Sequence, residues 1–312
     1  MSIVYNKNYC LLGCYKIYYT KWAEKGCIDY LNYTSTSKLF RRTLRLYQPE
    51  LLTSFLSGAK NITAMLQSYT IFNQSLQAIK KTKALISTIN AHSYNTLSED
   101  ADFQKALQSS DVLLPDGISV VWAMRMLTGV KLQKIAGADL FQYEMERINA
   151  KGGKCFFLGS TDAILQMIRI KAKKDYPNVD VHSYSPPYKP KFSEEENSEM
   201  IKAINSVEPD VLFVGMTAPK QEKWAFEHFN ELKVGHVCCI GAVFDFYAGT
   251  VTRAPHWMIS SGLEWAYRLV KEPRRMWRRY LIGNVKFIVS MVREKMLLPQ
   301  PDLLQRHMQI NH

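Results

Sequence analysis

The chain is 312 residues long and 47% hydrophobic, enough to bury the core of one large α/β domain or two small ones, which excludes a disordered or fibrous protein. Its formal charge of +12 is concentrated: residues 251–300 carry ten Lys or Arg against three Glu, a net of +7. Such a patch implies an anionic partner, whether phosphate, nucleic acid or an acidic membrane surface, and says little about fold.

Residues 1–50 are rich in Tyr, Cys and Lys and show no clean period. Cys10, Cys14 and Cys27 lack a fourth ligand at zinc-finger spacing, while Cys155, Cys238 and Cys239 lie in apolar strings, so all six read as reduced thiols of a cytosolic protein. No uncharged apolar stretch reaches the roughly 18 residues of a spanning helix, and Lys7 and Lys16 interrupt the Tyr-rich start, so neither an export signal nor a membrane span is expected.

From residue 84 onward, apolar runs of strand length alternate with amphipathic helical patterns, the mark of βαβ units and a mostly parallel sheet. Strands are expected at 84–89, 111–114, 154–158, 179–183, 210–214 and 236–240, and helices at 98–108, 118–128, 139–150, 161–175, 194–206 and 219–231, with Asp162, Ser193 and Pro219 as helix starts. Ser185-Pro186-Pro187-Tyr188-Lys189-Pro190 reads as a surface connection between two halves. Asn90, Pro115-Asp116-Gly117, Gly159-Ser160, Gly215-Met216-Thr217 and the stretch from Gly241 to Asp245 each follow a strand. Parallel strands joined by right-handed crossovers end on one side, so these segments should converge on one crevice.

Asp116 is the sharpest candidate there: an acid at a strand end bracketed by Pro and Gly is either a reactive carboxylate or the cap of the helix beginning near Ile118. Neither GxxxxGK[ST] nor GxGxxG follows the first strand, which removes most support for dinucleotide chemistry. Asp100-Ala101-Asp102 looks like a metal-binding DxD, but Ser98-Glu99 before it favours a solvated first helical turn. Pro219-Lys220-Gln221 is placed to hold an anion at a helix N-terminus, the alternative being an exposed charged helix start. Thr88 and Asn90 share a strand face suited to sugar hydroxyls or an amide, and His92 beside them reads as a structural donor.

Between Glu272 and Leu298 one regular helix is expected, with an apolar row of Trp277, Leu281, Val285, Ile288 and Val292 and a basic stripe of Arg275, Arg279, Lys286 and Arg293. That pattern suits an anionic membrane surface, or a core-packed helix with a solvated basic face. No nucleic-acid motif accompanies the charge.

Taken in order, Thr88-Ile89-Asn90-Ala91-His92-Ser93, the run from Leu114-Pro115-Asp116-Gly117 to Trp122, Ala136-Gly137-Ala138-Asp139-Leu140, Ala218-Pro219-Lys220-Gln221-Glu222, Gly241-Ala242-Val243-Phe244-Asp245 and Arg253-Ala254-Pro255 closely resemble the WecG/TagA/CpsF family of bacterial glycosyltransferases, over about residues 52–285. The resemblance implies a Rossmann-like sheet of the GT-E type with a C-terminal basic helical appendage, divided as 1–50, 51–255 and 256–312. It implies a metal-independent, inverting transferase without a cofactor, moving N-acetylmannosamine or its uronic acid from UDP to polyprenyl-diphosphate-linked N-acetylglucosamine on the inner face of the cytoplasmic membrane. It assigns Asp116 as base, Thr88 and Asn90 to the acceptor sugar, Gln221 and Asp245 to substrate or nucleotide, and Arg268, Arg275 and Arg278 to the diphosphate. Lys134 stands where relatives often carry Arg, keeping the charge but losing the bidentate fork. Transfer of glucose or glucuronic acid to a longer lipid-linked intermediate, and a non-catalytic nucleotide-sugar or polyanion binder, are the alternatives; the oligomeric state is left open.

Overall fold

A computed structural model of the chain describes residues 66–297; the readings for residues 1–50, with Cys10, Cys14 and Cys27, lie outside them. Six strands form one sheet: β1 Ala84–Ile89, β2 Val112–Pro115, β3 Lys154–Gly159, β4 Asp180–Tyr184, β5 Val211–Gly215 and β6 His236–Cys239. The spatial order is β2-β1-β6-β5-β3-β4, and every pairing is parallel. The Pro-rich segment therefore does not join two halves; it links β4, at the sheet edge, to the following helix.

Both faces of this sheet are covered, which is why its strands read as continuous apolar runs. Along β3 and β5, Cys155, Phe157, Val211 and Phe213 point into one core while Phe156, Leu158, Leu212 and Val214 point into the other. The first core is closed by α4 Gly137–Asn149, α5 Asp162–Asp175 and α8 Val243–Ala248. The second is closed by α6 Glu194–Val207 and α7 Lys220–His228. A third cluster joins α1 Ala91–Leu97, α2 Ala101–Gln108 and α3 Ile118–Thr128.

Helix starts follow capping chemistry. Ser193 caps α6, its hydroxyl accepting from Glu196 N while Glu196 returns a bond to Ser193 N, a reciprocal pair in which the cap contributes about 1 kcal/mol. Thr161, one residue before the expected Asp162, caps α5. The expected helix at 98–108 begins at Ala101, after the separate helix α1: Asp100 accepts from Phe103 N at 2.9 Å to cap α2 and pairs with Lys223 at 2.9 Å, so the DxD acid serves a helix start.

The C-terminal segment departs most from expectation. It runs as α9 His256–Ser260, α10 Glu264–Lys271, α11 Pro273–Trp277, a π-helical turn Arg278–Ile282 and α12 Gly283–Leu297. The π turn breaks the register on which the single basic stripe depended. Phe287 and Met291 pack into the third cluster, with Phe287 edge-on to Tyr94 at 5.4 Å, and the buried Glu294 accepts from Leu66 N at 2.9 Å. Asn95 Nδ2 donates to Gly283 O at 2.7 Å. The expected apolar row, Trp277, Leu281, Val285, Ile288 and Val292, is exposed throughout. One side of this helix thus packs on the core and another presents apolar side chains to solvent.

Candidate active site

β1 and β2 run in register with Ile89 opposite Pro115, and Asp116 N donates to Ile89 O at 2.9 Å, so the sheet fixes the backbone of Asp116. Gly117 follows at φ +125°, a conformation side-chain-bearing residues rarely adopt, and it is Gly117 that stands at the N-cap of α3. The capping alternative for Asp116 is therefore overturned. Its carboxylate has no hydrogen-bond or ion-pair partner among the described residues and lines a cavity of about 1200 Å³. Burial, reinforced by the negative charge of Glu264 and opposed by Lys134 and Arg279, pushes Asp116 up to about 6.

Thr88 and Asn90 reach the same cavity from β1. Asn90 Oδ1 accepts from His92 N and Ser93 N, both at 3.0 Å, capping α1. His92 lines the cavity too; burial and then Arg279 lower it to about 4, leaving a neutral imidazole at physiological pH.

Cations from several elements meet here. Glu264 of α10 bridges Lys134 Nζ at 3.4 Å and Arg253 Nε at 3.5 Å, while Glu272 receives Arg275 at 3.0 Å and Arg268 at 3.9 Å. Arg278 lies over the Trp277 ring at 5.2 Å. Arg268, Arg275, Arg278 and Arg279 all line the cavity, and the Nε atoms of Arg268 and Arg279 are buried without a hydrogen-bond partner among the described residues. Buried, unsatisfied guanidinium N–H groups are costly, and an anion with several oxygens is the ligand that satisfies them.

Other expectations do not converge. Lys220 does not line the cavity: its ammonium donates to Lys189 O and sits 3.6 Å from the Phe192 ring centroid, so the helix-terminus anion site lacks its lysine. Asp245 is also absent from the lining; it stands among the charges of Arg275, Glu272 and Arg268, which act on it after burial has raised it. Gly159-Ser160 is absent because β3 lies beyond β5, and a Cβ on Gly159 would meet Gly215 O at 2.6 Å. Gln221 is placed as expected, buried in the lining.

Sequence reasoning assigned no role to Glu222 or Glu264, and it put Arg279 on a basic stripe facing either an anionic membrane surface or solvent. Glu264 is one of three acids inside the basic segment 251–300, and nothing local in the sequence singles it out. Arg279 needed the π turn, which no helical period reveals.

Among proteins of known name, the chain is similar to the N-acetylglucosaminyldiphosphoundecaprenol N-acetyl-beta-D-mannosaminyltransferase of Bacillus subtilis (strain 168), with 31% identity over 227 residues, 72% of this chain and 86% of that protein. Proteins of the same name from Bacillus spizizenii and from Staphylococcus aureus (strain MW2) are 28% and 26% identical, over 70% and 65% of this chain and 82% and 76% of theirs. Residues 37–300 match the Glycosyl transferase WecG/TagA/CpsF family, and with the strand-end acid and the cationic cavity in place, the chain belongs to that family.

Proposed function

We propose that the protein transfers N-acetylmannosamine, or its uronic acid, from UDP to polyprenyl-diphosphate-linked N-acetylglucosamine, with inversion and without a metal ion. The observation that carries this reading is the carboxylate of Asp116, unpartnered among the described residues in a cavity rich in arginine. Asp116 removes the proton of the attacking acceptor hydroxyl as the bond from the donor's anomeric carbon to UDP breaks. A base titrating near 6 is ionised at neutral pH and still basic enough for proton transfer. Arg268, Arg275, Arg278 and Arg279, with Lys134, offset the charge that grows on the leaving diphosphate. Thr88 and Asn90 hold the acceptor sugar. The relatives' names supply the acceptor and the mannosaminyl group.

We further propose peripheral attachment to the inner face of the cytoplasmic membrane. No helix among the described residues is long and apolar enough to cross a membrane. Exposed Leu281, Val285 and Ile288 beside exposed Lys286 suit an anionic bilayer surface, where the lipid-linked acceptor resides.

The test is a panel of UDP-sugars with a short-chain polyprenyl-diphosphate N-acetylglucosamine acceptor, reading UDP release and the product's anomeric configuration. Turnover on an N-acetylmannosamine-type donor with inverted configuration, unchanged by chelator, is expected. Retained configuration, chelator sensitivity or silence with every donor contradicts the reading.

A further inference from the structure

The cavity that holds Asp116 changes character along its length. α3 starts at Ile118, just past the acid, and Trp122 and Met126 follow on successive turns, so Met126 lies about 12 Å along the helix from Ile118. α12 starts at Gly283, just past the π turn that carries Arg278 and Arg279, and Ile288 and Val292 follow at the same helical spacing. The two helices run side by side away from the charged end. Phe287 and Met291 of α12 share a packed cluster with Ala123 and Leu127 of α3, and Lys295 Nζ donates to Leu127 O at 3.5 Å. Trp122, Met126, Ile288 and Val292 all line the cavity, yet they are 68%, 40%, 59% and 42% exposed.

A lone exposed apolar side chain is ordinary on a protein surface. Two rows of them, on a concave wall that begins at an acid and a group of arginines, suit a ligand with an anionic head and an apolar tail. The cavity, about 1200 Å³, exceeds the roughly 300–1,000 Å³ of a site for one small molecule, which leaves space for such a ligand beside a sugar nucleotide. Outside the lining, exposed Val285 and Leu281 continue from Ile288 onto the surface that we place at the bilayer. A chain anchored in a bilayer must pass from that surface toward Asp116 without exposing its carbons to water, and this wall gives it an apolar path.

We propose that the seam between α3 and α12 binds the first isoprene units of the acceptor's polyprenyl chain, with the diphosphate at the arginines. The inference rests on the transferase reading above and deepens it: the acceptor is selected by its lipid as well as by its sugar. Each methylene buried in such a seam strengthens binding by about fourfold, so affinity rises with chain length until the wall is covered.

The experiment has a binding arm and a transfer arm. Calorimetry compares inorganic diphosphate with geranyl and farnesyl diphosphate, and kcat/KM compares N-acetylglucosamine acceptors whose diphosphate carries one or three isoprene units. Wild type should prefer farnesyl diphosphate over diphosphate, and the longer acceptor over the shorter, by about 10- to 100-fold. Met126→Asp with Val292→Asp should bring both ratios near one, while Met126→Leu with Val292→Ile keeps them. Co-sedimentation of the Asp pair with anionic vesicles should match wild type, since Leu281 and Val285 are untouched. If the Asp pair does not fold, Trp122→Ser takes its place. Wild-type ratios near one overturn the seam, as does a folded Asp pair that keeps both ratios; loss of vesicle binding with both ratios intact assigns the wall to the bilayer surface instead. Wild type that shows the binding preference and transfers nothing refutes the transferase reading and leaves the seam standing. Transfer without a chain-length preference does the reverse.

Discussion

Asp116 and Arg279 face one cavity from two kinds of scaffold. Asp116 follows β2, at the edge of the parallel sheet, its N–H tied to Ile89 O at 2.9 Å and its neighbours Leu113 and Leu114 buried on opposite faces. Arg279 sits in a π-helical turn between α11 and α12, where the large side chains Trp277, Leu281 and Ile282 are exposed. The sheet presets the acid before any ligand arrives. The C-terminal segment brings charge on elements that have few core contacts of their own, apart from the anchor of Phe287, Met291 and Glu294. Position is thus supplied by hydrogen-bonded strands, and positive charge by a segment that also presents apolar surface.

Breaking the electrostatic side should cost most. Arg279→Ala is expected to lower kcat/KM by about 10²- to 10³-fold, as for removal of one buried group that stabilises transition-state charge, with the melting temperature little changed. Phe287→Ala attacks the anchor: losing a buried aromatic ring should cost about 3–5 kcal/mol in denaturant unfolding, far more than Val285→Ala on the exposed row. Leu281→Asp with Val285→Asp, both exposed and outside the cavity lining, should instead reduce co-sedimentation with anionic vesicles by about tenfold or more and leave turnover on a water-soluble acceptor intact. A gentler change sharpens how the two scaffolds talk to each other. Glu264 raises Asp116, so Glu264→Gln should move the acidic limb of the kcat/KM profile, set by ionisation of the base near 6, toward lower pH. A limb that stays in place or moves upward would break that link.

How much the sequence disclosed divides along the same line. Apolar runs of strand length and the Pro-Asp-Gly bracket located the sheet and Asp116, because apolar runs and turn residues are local properties of the chain. Whether Asp116 caps α3 was not local, since it depends on Gly117 taking the cap position at φ +125°. Lys220 was misplaced because helix position says nothing about where a long side chain turns, and here it turns to Lys189 and Phe192. Arg279 was misread because a helical wheel assumes one period, and the turn at Arg278–Ile282 changes it. Trp122 stood in a recognised motif, yet only its exposure on the cavity wall gives it meaning.

The central claim is that Asp116 is the base, and Asp116→Asn tests it most directly. Raised above its unfolded value, this carboxyl destabilises the folded state as pH rises from about 4 to about 6, so the amide variant should melt higher at pH 8 and show no such gain below pH 3.5. Transfer to the lipid-linked acceptor should fall by about 10³-fold while UDP binding stays within about twofold of wild type. Transfer near the wild-type rate in the folded variant, with its acidic limb still near 6, would contradict the account.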